Sequence, residues 1–137
     1  MAYRVLCPVD GTEHARHAVG VAAEMARTFG GELLLCVVNV AHGGGRGPLV
    51  HTWTDEVARK ILDDAAAVAT AAGLAPSSSA VVIDREAASG IVGHAETSRV
   101  DHIVMGTGDK RGLSRLMLGS VAADVAGRAH CTVTVAR

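Results

Sequence analysis

The chain has 137 residues, a formal net charge of −1, and 49% hydrophobic against 20% charged residues. That length suits one domain, residues 1–137, since domains most often run to roughly 100–150 residues, and that balance excludes a disordered tail or a coiled coil. A near-neutral charge and a single Trp, Tyr and Phe argue against a nucleic-acid partner, and no apolar run approaches the roughly 20 residues that span a bilayer.

The elements follow in order. Tyr3 to Val9 reads as a first strand that ends at Asp10-Gly11. From Thr12 the period changes: Ala15, Ala18, Ala22, Met25 and Phe29 recur at three- and four-residue steps, predicting an amphipathic helix stopped by Gly30-Gly31. Leu33 to Val40 is a near-continuous apolar run, as a strand covered on both faces should be. Ala41 to Pro48 reads as a glycine-rich loop. A second helix is predicted from Thr54, its N-cap, to Ala72, with Val57, Ile61, Ala65, Val68 and Ala72 as the inward stripe. Ala80 to Ile83 is a third strand and Ala87 to Ser98 a helix with Ile91, Val92 and Ala95 inward. His102 to Met105 is a fourth strand, ending at Gly106. Residues 107–119 read as mostly loop, Ser120 to Ala129 as a last helix and Cys131 to Ala136 as a fifth strand.

Alternating strands and helices with continuously apolar strands predict an α/β fold: an open parallel five-stranded sheet covered by helices on both faces. In such sheets ligands bind beyond the carboxyl ends of the strands, where the strand order reverses. The loops after Val9, Val40, Ile83 and Met105 are therefore the places to search.

In the first of these, Asp10 stands at a strand end beside a helix start. It suits either a hydrogen bond to a ribose or base edge, or capping of the helix behind it. The loop after Met105 carries Gly106, Gly108 and Gly112, then Gly119-Ser120 at the start of the last helix. Glycines let backbone amides approach phosphate oxygens, a helix N-terminus favours anions, and Lys110, Arg111 and Arg115 add cations. The same composition also suits a surface turn with a serine cap. His42 and His51 stand in one loop without further ligands nearby, which favours solvated side chains over a metal site. Cys7, Cys36 and Cys131 lie in apolar runs, as buried thiols do.

The chain resembles the universal stress protein family along nearly its whole length. The resemblance rests on Pro8-Val9-Asp10-Gly11-Thr12-Glu13-His14-Ala15, on Asp101 to Thr107, and above all on Gly112 to Ala122. It implies a flavodoxin- or Rossmann-like sheet of strand order 3-2-1-4-5, a homodimer joined through the fifth strand, a cytoplasmic location and a stress-response role. It also implies an adenine nucleotide, ATP or AMP, held at the ends of strands one and four, with binding rather than catalysis as the activity. On this resemblance Pro8, Val9 and Asp10 line the adenosine side, Val38 lies near the base and Met105 beneath it. Gly106, Gly119, Ser120 and Val121 hold the ribose and phosphate.

Three departures stand out. The nucleotide-binding branch carries Gly, two residues, Gly, nine residues, Gly, then Ser or Thr; here the second element is Asp109, with Gly108 one place early. A carboxylate about 4 Å from a phosphate costs on the order of 1–4 kcal/mol, which Lys110 and Arg111, or a Mg²⁺ ion bridging carboxylate and phosphate, would offset. Where relatives often have Gly-x-Pro after strand three, this chain has Arg85-Glu86-Ala87. His130 and Thr132 replace frequent prolines, adding backbone donors to the last strand. The alternative expectation is thus a family member that binds no nucleotide, a dimeric interaction module with a vestigial pocket.

Overall fold

The structure is a computed structural model and describes residues 2–107 and 118–137. The elements are β1 (Arg4–Pro8), α1 (Glu13–Thr28), β2 (Glu32–Gly43), β3 (Leu49–His51), α2 (Asp55–Ala71), β4 (Ser78–Asp84), α3 (Ala87–Thr97), β5 (His102–Gly106), α4 (Ser120–Arg128) and β6 (Thr132–Ala136). Five strands run parallel in the order β4-β2-β1-β5-β6. Counted without β3, this is the expected order 3-2-1-4-5.

The sheet is mixed rather than wholly parallel, because a sixth strand, which was not foreseen, pairs antiparallel with β2. The stretch read as a glycine-rich loop extends β2 to Gly43 and folds back as β3, antiparallel, pairing Ala41 with His51 and Gly43 with Leu49. Gly43 and Gly44 hold φ of 80° and 91°, and a Cβ on Gly43 would collide with the Pro48 carbonyl oxygen. Glycine therefore makes this turn where it was read as breaking structure.

Period-two alternation decides which side chain goes to which face. Val5, Cys7, Leu33, Leu35 and Val37 join the core beneath α1 and α2. Leu6, Leu34, Cys36 and Val38, displaced by one, join the core beneath α3 and α4 with Ile103 and Met105. Both faces are apolar, so the strands read as continuous runs. Cys7 and Cys36 are fully buried on opposite faces; burial pushes the Cys36 thiol up to about 12 and raises that of Cys7 as well. Such thiols stay protonated at neutral pH and act as small hydrophobes. Cys131 is only partly buried.

Helix faces were read less well. In α2 the buried residues are Ala58, Leu62, Ala65 and Ala69, while Val57 is 45% exposed. The stripe is turned by about one residue because α1 presents Ala15, Ala18, Ala22 and Ala26. Alanine facing alanine lets the two helices and the sheet approach closely, leaving Ile61, Val68 and Ala72 at the margin of that core. Phe29 is not inward but 51% exposed, its ring edge-on to Tyr3 at 5.1 Å.

At the opposite end of the sheet from its carboxyl edge, buried His102 joins three strands. Its Nδ1 lies 3.1 Å from the Tyr3 hydroxyl on the segment leading into β1, and its Nε2 lies 2.7 Å from Thr134 Oγ1 on β6. Burial lowers its pKa below the ordinary 6.5, and burial does the same to His94. The unfolded chain then binds protons more readily than the folded one as pH falls through about 6.5, so acidification removes stability. Urea unfolding at pH 7.5 and pH 5.5 should show the lower stability at pH 5.5, and His102→Gln should flatten that difference; an unchanged slope would contradict this role.

Candidate functional site

The carboxyl ends of β1, β2 and β5 and the starts of α1, α3 and α4 enclose a cleft of about 350 Å³. Small-molecule sites commonly occupy roughly 300–1,000 Å³. The cleft lies where the sheet order reverses, between β1 with its neighbour β2 on one side and β5 on the other.

On the β1 side, Pro8, Val9 and Asp10 line it. Of the two readings of Asp10, helix capping is not what the structure shows: its Oδ1 accepts from the Thr12 amide at 3.0 Å and the Thr12 hydroxyl at 2.7 Å in a local turn. Thr12, not Asp10, caps α1, its Oγ1 accepting from the Ala15 amide at 3.2 Å. Asp10 is thereby fixed at the cleft edge, and both bonds use the same carboxylate oxygen.

On the β5 side, Met105 and Gly106 form the floor. A Cβ at Gly106 would stand 2.7 Å from the His14 carbonyl oxygen, so only glycine lets β5 end against the first turn of α1. Beyond it, Gly119 is the N-cap of α4 and Ser120 its first residue. The serine cap, one of the two readings of this loop, is not formed: Gly119 is the N-cap and, among the described residues, no side-chain cap bond is made. Among the described residues, no side chain gives the first amides of α4 the acceptor that Thr12 gives α1 and Thr54 gives α2, and the same holds at the start of α3. Exposed amides at a helix start, with no acidic residue in the first turn, suit an anion.

On the β2 side the lining is apolar. Val38 and Val40 come from the strand and Ile91 from α3, which packs so closely that a Cβ at Gly90 would meet Val38 Cγ1 at 2.7 Å. Trp53 completes this end. Three contacts fix its position. Buried Asn39 accepts from the Trp53 amide at 3.0 Å and donates to its carbonyl at 2.9 Å. Thr52 bonds the Val40 carbonyl through both its amide, at 2.9 Å, and its hydroxyl, at 3.0 Å. Thr54 then caps α2.

Nine of the eleven site residues expected from sequence thus line one cleft: Pro8, Val9, Asp10, Val38, Met105, Gly106, Gly119, Ser120 and Val121. Gly108 and Asp109 lie outside the described residues, as do Lys110, Arg111 and Arg115. Thr12, His14, Val40, Trp53, Ala87, Ile91 and Thr107 also line it and were not foreseen. One signal existed for Trp53: Asn39 is the lone polar residue in the apolar run Leu33 to Val40, and a buried amide needs partners. Arg85 does not stand free in solvent; its guanidinium donates to the Gly43 carbonyl and ties the loop after β4 to the β2–β3 turn. His42 pairs with Val50 while His51 pairs with Ala41, so the register sends the two imidazoles to opposite faces of the ribbon. Among the described residues no group of three His, Cys, Asp or Glu is placed to hold a metal, and no helix is long and apolar enough to cross a membrane.

Comparison with known proteins gives a consistent picture. The profile of the universal stress protein family matches residues 1–137. A universal stress protein of Methanocaldococcus jannaschii is 31% identical over 98% of this chain and 81% of its own length. One from Thermus aquaticus is 30% identical over 97% of each chain. Among solved structures, a universal stress protein of Archaeoglobus fulgidus in complex with dAMP superposes with a TM-score of 0.74 at 24% identity, covering 100% of this chain and 98% of its own. Another, in complex with cAMP, gives 0.78 at 20% identity, covering 99% and 97%.

Asn39→Leu keeps the side-chain size but leaves the Trp53 amide and carbonyl without their partners. It should destabilise the fold by about 1–3 kcal/mol in urea titrations. Unchanged stability would show that the clamp contributes nothing.

Proposed function

The chain belongs to the universal stress protein family, and on that premise we propose that residues 1–137 act as one domain that binds an adenine nucleotide, ATP or AMP, in the cleft at the ends of β1 and β5. The observation that carries this reading is the polarity of the cleft. One end is the uncapped start of α4 with Gly119 and Ser120, and the other is the apolar wall of Val38, Val40 and Ile91. A nucleotide has the same division, anionic at one end and flat and apolar-faced at the other.

The residues present fit such a ligand. Gly106, flush against α1, leaves the floor open to a ribose or phosphate group, and the Asp10 oxygen not engaged by Thr12 remains for a hydroxyl or an exocyclic amine. The complexes of related folds with dAMP and cAMP support the same ligand class. Asp109 sets the cost of a nearby phosphate, and Lys110, Arg111 or Mg²⁺ offsets it. Binding and regulation, rather than turnover, form the activity in this reading. A cytoplasmic location and a homodimer paired through β6, whose ladder on one side is taken by β5, complete it.

The second reading, an interaction module with a vestigial pocket, is favoured by the acidic side chain at the second motif position. Equilibrium dialysis with labelled AMP and ATP, alongside thermal unfolding, separates the two. Nucleotide at 100 times its Kd should stabilise the folded protein by about 2.7 kcal/mol, and Asp109→Gly should bind more tightly than the unaltered chain. A folded protein that retains no nucleotide at millimolar concentration, with no rise in Tm for either form, would leave the interaction module as the function.

A further inference from the structure

We propose that Trp53, positioned by Asn39, is a specificity-determining residue of the cleft, providing the surface that packs on the base and makes the site prefer purine over pyrimidine nucleotides. The inference rests on the nucleotide reading and extends it to the base end. Neighbouring strands lie about 4.8 Å apart, so β5 and β2, with β1 between them, are separated by about 10 Å. An anion at the start of α4 therefore leaves the rest of the ligand to cross Pro8 and Val9 toward the end of β2, where Val38 and Val40 line the cleft from the α3 side and Trp53 lines it from the side packed against α1 and α2.

Among the described residues, the β2 end of the cleft offers a base no side-chain hydrogen bond from Val38, Val40 or Ile91, which leaves Asp10 on the β1 side as a polar group within the lining. The clamp spends both ends of the Asn39 amide on the Trp53 backbone, and the adjoining lining residues are aliphatic. Selection there is by contact area, in which a purine exceeds a pyrimidine. The backbone clamp, the Thr52 bonds to Val40 and the Thr54 cap fix the residue before any ligand arrives. These bonds hold the backbone, and the partly buried Trp53 side chain packs against the core beneath α1 and α2, so it loses little freedom on binding.

Trp53 is the single tryptophan of the chain, so its fluorescence reports this end of the cleft in the unaltered protein. AMP, CMP and ribose 5-phosphate are titrated against the wild-type chain, Trp53→Ala and Trp53→Phe by calorimetry, with circular dichroism confirming that each is folded. Wild type should prefer AMP over CMP by about tenfold, with quenched tryptophan emission on AMP binding. Trp53→Ala should lose most of that preference while holding ribose 5-phosphate as before, and Trp53→Phe should keep it. If wild type binds AMP but Trp53→Ala retains the full preference, or if AMP leaves the emission unchanged, Trp53 is not the base-packing surface. If folded wild type binds none of the three compounds, the nucleotide reading itself fails and this inference falls with it.

Discussion

One close approach underlies the site. The end of β5 lies against the first turn of α1, and any Cβ at position 106 would stand 2.7 Å from the His14 carbonyl oxygen, too close without a shift of the backbone. A larger residue there would force the strand and helix apart, and the floor of the cleft would rise into the space a ligand needs. Glycine at this point is thus a packing requirement first. Backbone exposure toward the cleft follows from it.

The rest of the architecture holds that contact in place. Strands that alternate between two apolar cores fix the sheet, and Gly90 brings α3 down onto Val38 just as Gly106 brings β5 onto α1. Around the cleft the helix starts are treated differently. The starts of α1 and α2 are closed by Thr12 and Thr54, whereas among the described residues those of α3 and α4 carry no side-chain cap, and open amides of that kind suit an anion. Burial of Asn39 follows the same logic in reverse: a polar group is carried into the apolar strand because it fixes the chain before α2.

The fold was largely legible in the sequence, because apolar runs of strand length separated by helical periodicity leave few arrangements. Most of the cleft was legible as well, since Pro8, Asp10, Gly106 and Ser120 all sit where a strand ends or a helix begins. What escaped depended on tertiary context. The β2–β3 ribbon was hidden because Gly43 and Gly44 read as loop, while the turn they make depends on the Pro48 carbonyl opposite. The face of α2 was misjudged by one residue because the larger side chains were assigned inward, although an alanine face on α1 selects alanines opposite. Trp53 comes to the cleft only through a hydrogen-bonded pair spanning fourteen residues, which no periodicity reveals.

The central claim is that an adenine nucleotide occupies this cleft with its anionic end at α4 and its base over β2. Backbone and indole amide chemical shifts followed by NMR during AMP addition test it most directly. The account predicts saturable shifts at Gly106, Gly119 and Ser120 together with Val38 and the Trp53 indole N–H. Shifts confined to residues outside the cleft, or no saturable shift in a folded protein, would contradict it.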